Sequence, residues 1–292
     1  MGSESVGKRI ILTLRFIVIY LYCFFTRDIP RLISMKRKSV AEQMEGQRTV
    51  AEILSDGGRA HFFQCNVTDP NSLRSCAHRI RNDCKIGDVD IVICNAAVLR
   101  VGEILEMSDE DFKITMNVNV LGYIYTIRAF LPSMLEKDKG QIVAVASVCS
   151  HFGENLGSAY CTAKFAVRGL MDSLQMELDE KGKRGIAVTT VFPYFTTTTL
   201  ISDQLTEPFS TLLDVVPLEK CVNEIVDGVL KERVSCFIPR SLAILSLIRR
   251  VAMTKSIVPY ARQFMNVRYV RKSPEEPTLL EAEECHSLCV HT

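Results

Sequence analysis

A short apolar run at residues 141–147, which reads Gln-Ile-Val-Ala-Val-Ala-Ser, places the strongest constraint on the fold. Its length and its valine and isoleucine content predict a β-strand that is buried on both faces, as in a parallel sheet. The runs 89–94 and 186–192 have the same character, and helical patterns over 108–135 and 158–179 separate the three runs. This alternation predicts an α/β fold in which helices flank a parallel sheet.

Three polar residues lie at and beyond the end of the first run. Ser147 occupies the carboxyl end of the predicted strand, where open α/β sheets bind their ligands. Tyr160 and Lys164 follow one helical turn apart and therefore share a face, although such a pair also occurs by chance in many helices. A lysine ammonium beside a tyrosine favours the phenolate and would lower the tyrosine pKa from about 10. Tyr160 could then donate or accept a proton, while Ser147 holds the oxygen that gains or loses it.

This stretch resembles the active site of the short-chain dehydrogenase/reductase family, whose serine, tyrosine and lysine have the same spacing. The resemblance runs from Arg48 to about Lys272 and implies a Rossmann-like fold with NAD or NADP as cofactor. In the family, an asparagine in the preceding helix holds a water beside the lysine and completes a proton relay. Asn119 matches it in the context Val-Asn-Val-Leu-Gly, and Asn117 is its rival. The resemblance therefore implies a catalytic set of Asn119, Ser147, Tyr160 and Lys164.

The same resemblance implies where the cofactor binds, with three departures from the family pattern. Asn66 stands where the family commonly has an aspartate near the adenine, and Ala97 replaces the glycine of the turn after the 89–94 strand. Tyr194 replaces the glycine that follows Pro193. In the family, a threonine five residues after this proline touches the nicotinamide amide, and Thr198 occupies that position. The implied cofactor contacts are Asn66, Val67, Asn95, Ala96, Lys164 and Thr198.

The glycine-rich turn that begins a dinucleotide-binding fold is missing from the sequence. Such a fold opens with a strand, a glycine-rich turn and a helix whose N-terminus receives the pyrophosphate. Before the predicted strand 60–66 no glycine follows a strand pattern, and the predicted helix 39–56 leads directly into that strand. Relative to the family, the first βαβ unit, on the order of 30 to 40 residues, is therefore absent.

Charge and cysteine content exclude several classes of function. The formal net charge is +1, so no global field indicates nucleic-acid binding. The eleven cysteines lack a Cys-x-x-Cys pair, and we interpret them as reduced thiols in a protein that faces the cytosol. The cysteines and histidines of 285–291 could form a metal site, but a disordered tail explains them better, and we predict no metal.

Two segments indicate a membrane. Residues 10–25 are almost wholly apolar, although shorter than the roughly 20 residues of a spanning helix, so they predict an anchor that either spans or lies in one leaflet. The basic residues that follow outnumber those before it and place the main domain in the cytosol. Residues 241–272 are apolar and basic without an acidic residue, which is typical of a helix on an anionic membrane surface or of a solvated face at a substrate entrance.

The nearest branch of the family looks like the membrane-anchored retinol and 17-beta-hydroxysteroid dehydrogenases. The resemblance implies hydride transfer between NAD or NADP and a lipophilic alcohol, on the endoplasmic reticulum or a lipid droplet. Among partners, a homodimer is one option, and the sequence leaves the oligomeric state open. The alternative is a catalytically inactive membrane-surface protein, a truncated isoform that cannot bind cofactor. The expected organisation is an anchor with a basic linker (1–38), an incomplete Rossmann-like domain (39–240), a membrane-surface segment (241–272) and a disordered tail (273–292).

Overall fold

The computed structural model describes residues 46–83, 87–198, 200, 206–209, 214–252, 260 and 268–271. The predicted anchor, the cysteine and histidine cluster and the acidic tail lie outside these residues, as does most of the segment 201–214, which the sequence suggests is a substrate lid. No helix within the described ranges is long and apolar enough to cross a bilayer.

Parallel strands form the central sheet. The strands are β1 (Ile91–Cys94), β2 (Gly140–Val145), β3 (Ile186–Pro193), β4 (Thr206–Phe209), β5 (Ser235–Ile238) and β6 (Arg268–Arg271). The central sheet has the order β1-β2-β3-β5, and each neighbouring pair is parallel. β4 and β6 pair antiparallel in a separate sheet. The three apolar runs thus form adjacent strands, as the sequence predicts.

Helices connect the strands. They are α1 (46–55), α2 (Pro70–His78), α3 (Asp109–Met116), α4 (Gly122–Lys137), α5 (Ser158–Glu180), α6 (Leu218–Leu230) and α7 (Ser241–Ala252). A π-helical turn, Asn117–Leu121, joins α3 to α4, and a 3₁₀ turn, Val148–Ser150, follows β2.

Side-chain caps explain where two of the helices begin. The Ser108 hydroxyl accepts a hydrogen bond from the Asp111 backbone N–H at 3.1 Å and donates to its carboxylate at 2.7 Å, so α3 begins where the sequence predicts. For α2 the sequence pattern predicts a helix over 72–84 with Asn71 as its N-cap, and this assignment of the cap is wrong. The Asp69 carboxylate caps this helix by accepting from the Asn71 N–H at 2.9 Å, because Pro70 has the backbone geometry of a first helical residue.

The core lies on both faces of the sheet, as the uninterrupted apolar pattern of β2 requires. Ile142 and Ala144 face a cluster that includes residues of α2, α4 and α5, whereas Val143 faces a cluster with α6. All three side chains have 0% exposure, which confirms the prediction of a strand that is buried on both sides.

The predicted strand 60–66 is wrong. Phe63, Cys65 and Val67 are buried at alternate positions, as in a strand, but residues 59–66 form no strand in the structure. In the central sheet β1 is an edge strand, and none of the described strands pairs along its outer side. The apolar side chains of the segment pack into the core cluster that contains residues of α2 and α4, so they are buried although the segment forms no β-ladder. An alternating pattern reports burial of one face, and a strand also needs a hydrogen-bonding neighbour.

Candidate active site

Ser147 lies two residues beyond the end of β2, at the carboxyl edge of the sheet. It begins the 3₁₀ turn, and its Oγ accepts a hydrogen bond from the Cys149 backbone N–H at 3.1 Å. Because this bond uses an oxygen lone pair, the Ser147 hydroxyl proton can still be donated to an oxygen in the site.

Tyr160 and Lys164 lie on the first two turns of α5, and their side chains meet. The Lys164 Nζ lies 5.5 Å from the centroid of the Tyr160 ring. Lys164 is 1% exposed, and its ammonium donates to the Val145 carbonyl at 2.9 Å. A buried cation that faces an aromatic ring is stabilised by the negative ring face, and it stabilises negative charge on the phenol oxygen in turn.

Tyr123 completes this arrangement, although no motif in the sequence indicates it. Its hydroxyl donates to the same Val145 carbonyl at 2.9 Å, and the Lys164 Nζ lies 5.5 Å from its ring centroid. The side chain is 1% exposed. The only sequence signal is its position one helical turn after Asn119, which resembles an ordinary core position.

Asn119 is fully buried in the π-helical turn and clamps the loop that follows β1. Its Oδ1 accepts from the Val98 N–H at 2.7 Å, and its Nδ2 donates to the Val98 carbonyl at 2.9 Å. The Asn119 side chain thus makes the two backbone hydrogen bonds to Val98 that a neighbouring strand would otherwise make. Asn117, the rival in the sequence analysis, is exposed. The predicted role of Asn119 in a proton relay stays a prediction, since these contacts show a positioning role.

The expected cofactor contacts lie at the ends of several elements. Asn95 and Ala96 follow β1 directly, and Thr198 lies five residues after β3, where its hydroxyl lies 3.5 Å from the Thr196 carbonyl. Asn66 is exposed and folds back on itself, since its Oδ1 accepts from the backbone N–H of Thr68 at 3.0 Å. The carboxyl ends of parallel strands meet at one edge of a sheet, so the contacts after β1 and β3 lie on the same edge as Ser147.

Val67 differs from the other expected cofactor contacts. It is 6% exposed and packs beside Gly122, where an added Cβ would lie 3.1 Å from a Val67 methyl group. The Val67 side chain therefore packs between the 59–67 segment and α4, and its predicted contact with the cofactor stays a prediction.

Two thiols lie directly behind the site. Cys149, two residues after Ser147, and Cys161, directly after Tyr160, are buried together with Phe152. Contact with Cys161, followed by burial, raises the pKa of the Cys149 thiol well above its usual range. A raised pKa favours the neutral thiol of Cys149.

The residues present fit one half of a nicotinamide dinucleotide. Hydroxyl, phenol and ammonium groups at the carboxyl edge suit the nicotinamide and its ribose. Within the described ranges, no glycine turn between a strand and a helix N-terminus lies beside β1 to receive the pyrophosphate. A parallel sheet with serine, tyrosine and lysine at its carboxyl edge is nevertheless the arrangement of a Rossmann-type oxidoreductase.

Comparison with known proteins agrees with this class. A short chain dehydrogenase family profile matches residues 32–208. The 17-beta-hydroxysteroid dehydrogenase 13 of Rattus norvegicus is 29% identical over 76% of this chain and 72% of that protein. The estradiol 17-beta-dehydrogenase 11 of Pongo abelii is 32% identical over 70% of this chain and 66% of that protein. A short chain dehydrogenase/reductase of Burkholderia phymatum in complex with NAD has a TM-score of 0.63 at 18% identity, over 80% of this chain and 85% of that chain.

The chain belongs to the short chain dehydrogenase family. The predicted resemblance to its 17-beta-hydroxysteroid dehydrogenase branch is confirmed by these relatives, of which the chain spans about two thirds to three quarters in length. The likeness to the Burkholderia enzyme confirms the Rossmann-like α/β fold. Membership assigns the chain to a family of dehydrogenases that use NAD or NADP, and the Burkholderia structure contains NAD.

Proposed function

We propose that the chain is an oxidoreductase that transfers hydride between NAD or NADP and a lipid alcohol or ketone of the retinol or steroid class. The observation that carries the proposal is the buried Lys164 ammonium against the Tyr160 ring, at the sheet edge that also holds Ser147. The names of the steroid dehydrogenase relatives support the lipid class.

Each side chain has a distinct task in this proposal. In alcohol oxidation the Tyr160 phenolate accepts the proton of the substrate hydroxyl and becomes the phenol, and Lys164 stabilises the phenolate before that transfer. The Ser147 hydroxyl, oriented by the Cys149 N–H, holds the substrate oxygen. Asn119 positions the loop after β1 through Val98. The nicotinamide, when bound, supplies the hydride acceptor.

The second candidate is a catalytically inactive membrane-surface protein that cannot hold cofactor. The observation that favours it is the outer edge of β1, where none of the described residues supplies the strand and glycine turn of a pyrophosphate site. Without them the backbone N–H groups and helix dipole that bind phosphate are lost.

Fluorescence titration of the purified chain with NADH and NADPH separates the two candidates. An enzyme requires binding in the micromolar range, about 8 kcal/mol, whereas contacts to the nicotinamide half alone would leave millimolar affinity, about 4 kcal/mol. Micromolar binding together with oxidation of a retinoid or steroid alcohol supports the enzyme. Millimolar binding without turnover supports the inactive protein.

We also propose that the chain binds the cytosolic surface of the endoplasmic reticulum or of a lipid droplet. α7 supports this proposal because Ile244, Leu247 and Ile248 expose 66, 64 and 48% of their surface on one side of the helix. Arg249 and Arg250 follow in the sequence, and such basic residues attract anionic lipid. The apolar N-terminal segment supports it independently.

Vesicle flotation tests the role of α7. Deleting residues 1–26 should leave binding to anionic vesicles that is lost at high ionic strength, because salt screens surface electrostatics. In that shortened chain Ile244→Ser should weaken binding. Leu105→Ser, at a position that is 95% exposed in a loop, is the matched control and should leave binding unchanged. Retention in high salt, or equal effects of both substitutions, would contradict the proposal.

A second copy of the chain is a further proposed partner. On α6, exposed apolar side chains recur every fourth residue, at Leu218, Val222, Val226 and Leu230. The acidic residues Glu219, Glu224 and Asp227 lie on the same helix and disfavour an anionic membrane. Light scattering should show a dimer that Val226→Glu dissociates, and a monomeric parent chain would refute this partner.

A further inference from the structure

A pair of thiols lies where the extended segment 59–67 packs on α2. Ser72 and Cys76 are one helical turn apart on α2, and both contact Cys65. The Cys65 Sγ lies 3.4 Å from the Ser72 Oγ and forms a hydrogen bond with the Cys76 thiol. The Ser72 Oγ also accepts from the Asn66 backbone N–H at 3.0 Å, which holds Cys65 against the helix.

This environment makes Cys65 acidic. The hydrogen bond from Cys76 is the largest influence, and with the bond from Ser72 it lowers the pKa of the Cys65 thiol to about 7, against the opposing effects of burial and of the Asp69 carboxylate. A lower pKa increases the fraction of Cys65 that is thiolate at neutral pH, and the thiolate is the reactive form. In Cys94, by contrast, burial raises the pKa to about 12.

Exposure and backbone setting also distinguish Cys65. Its exposure is 9%, whereas the other described cysteines have 1 to 6%. Residues 59–66 form no β-ladder, so the segment that carries Cys65 belongs to neither sheet. Closing a sulfur–sulfur bond of roughly 2 Å between Cys65 and Cys76 would therefore break no strand pairing.

We propose that Cys65 and Cys76 form a peroxide-sensitive dithiol that closes to a disulfide and ties the segment 59–67 to α2. The Cys65 thiolate attacks one oxygen of hydrogen peroxide, and the O–O bond breaks to leave a sulfenic acid on Cys65 and hydroxide, which takes up a proton. The Cys76 thiol then attacks the Cys65 sulfur, loses its proton and displaces hydroxide, which leaves as water. Two thiols lose two electrons in total, and one peroxide becomes two waters. The proposal is independent of the proposed function.

Peptide mapping of the oxidised full-length chain tests it. Trypsin cleaves after Arg59, Arg74 and Arg79, so the two cysteines fall on separate peptides, 60–74 and 75–79. Treatment with one equivalent of peroxide should link these peptides with the loss of two hydrogens, and a reducing agent should separate them. The peptide 140–164 is an internal control, because it contains the touching thiols of Cys149 and Cys161, and the pKa of the Cys149 thiol is raised and not lowered. Oxidation of the control before the 60–74 and 75–79 pair would overturn the proposal.

Single variants separate the roles of the two thiols. In Cys76→Ser the sulfenic acid on Cys65 should persist and react with a 1,3-dione probe, whereas in Cys65→Ser the probe should label neither peptide. Probe labelling of Cys76 in Cys65→Ser would contradict the assignment of the nucleophile.

The unmodified protein gives a test that does not depend on whether the variants fold. Alkylation of Cys65 by N-ethylmaleimide should reach half its plateau rate near pH 7. The rate at Cys94 should stay below one tenth of the rate at Cys65 throughout the range from pH 6 to 9. Equal rates at the two cysteines would refute an activated Cys65.

Discussion

Replacing Asn119 by alanine should destabilise the protein far more than replacing its neighbour Asn117. The Asn119 amide has 0% exposure and makes hydrogen bonds of 2.7 and 2.9 Å to the N–H and carbonyl of Val98. Alanine leaves both backbone groups buried without these bonds, at about 1–3 kcal/mol each, so we expect a loss of about 2–6 kcal/mol. At a urea dependence of about 2 kcal/mol per molar, this lowers the unfolding midpoint by roughly 1–3 M.

Urea unfolding followed by far-ultraviolet circular dichroism measures this difference. Asn117→Ala is the matched control, because Asn117 is exposed in the same π-helical turn, and it should change the free energy of unfolding by less than about 0.5 kcal/mol. Asn119→Asp should destabilise as well, since a carboxylate can accept from the Val98 N–H but cannot donate to the Val98 carbonyl. A loss below 1 kcal/mol for Asn119→Ala, or an equal loss for Asn117→Ala, would refute the clamp.

Three further predictions follow from the site and the core. Tyr160→Phe should lower kcat for a lipid alcohol by at least about 10²-fold, because a phenyl ring cannot carry the proton; steady-state kinetics of an active preparation would show this. Ile142→Ala should cost about 2–5 kcal/mol in urea unfolding, since Ile142 is fully buried in β2, while Leu105→Ala at a 95% exposed position should cost almost nothing. The ion pair with Lys137 is the main cause of the lowered pKa of the Asp88 carboxyl. Asp88→Asn should therefore lower the free energy of unfolding by about 0.5–1 kcal/mol at pH values above the unfolded carboxyl pKa near 4. This difference should vanish as the pH falls through the lower pKa of the folded state. Unfolding of both proteins at pH 7 and pH 2.5 measures it, and a difference that persists at the lower pH would contradict the assignment.

Most elements near the active site could be predicted from local patterns. The strands 89–94, 141–147 and 186–192 and the helix of Tyr160 and Lys164 appear in the structure within a few residues of their predicted bounds. Strongly apolar runs and helical periodicity are local signals that packing reinforces. The N-cap at Ser108 is also a local signal, because the Asp111 N–H that Ser108 accepts from lies only three residues away.

The errors concern residues whose partners are distant in sequence. The alternation of Phe63, Cys65 and Val67 predicted a strand, but a strand forms only beside another strand, and the chain supplies a helical surface instead. Tyr123 was not singled out because its partner, the Val145 carbonyl, lies 22 residues away. The cap of α2 is Asp69, two residues before the predicted Asn71, because Pro70 is the first residue of the helix and does not lie outside it.

The sequence by itself determined the class of fold, the spacing of Ser147, Tyr160 and Lys164, and the missing glycine turn, because each is a pattern of neighbouring residues. Only the tertiary structure decided that Asn119 clamps Val98 and that Tyr123 shares a carbonyl with Lys164. It also decided that Cys65, and not Cys94 or Cys149, is the acidic thiol. The physical reason is that burial, hydrogen bonds and nearby charges control the chemistry of a side chain, and these come from residues that meet only when the chain folds.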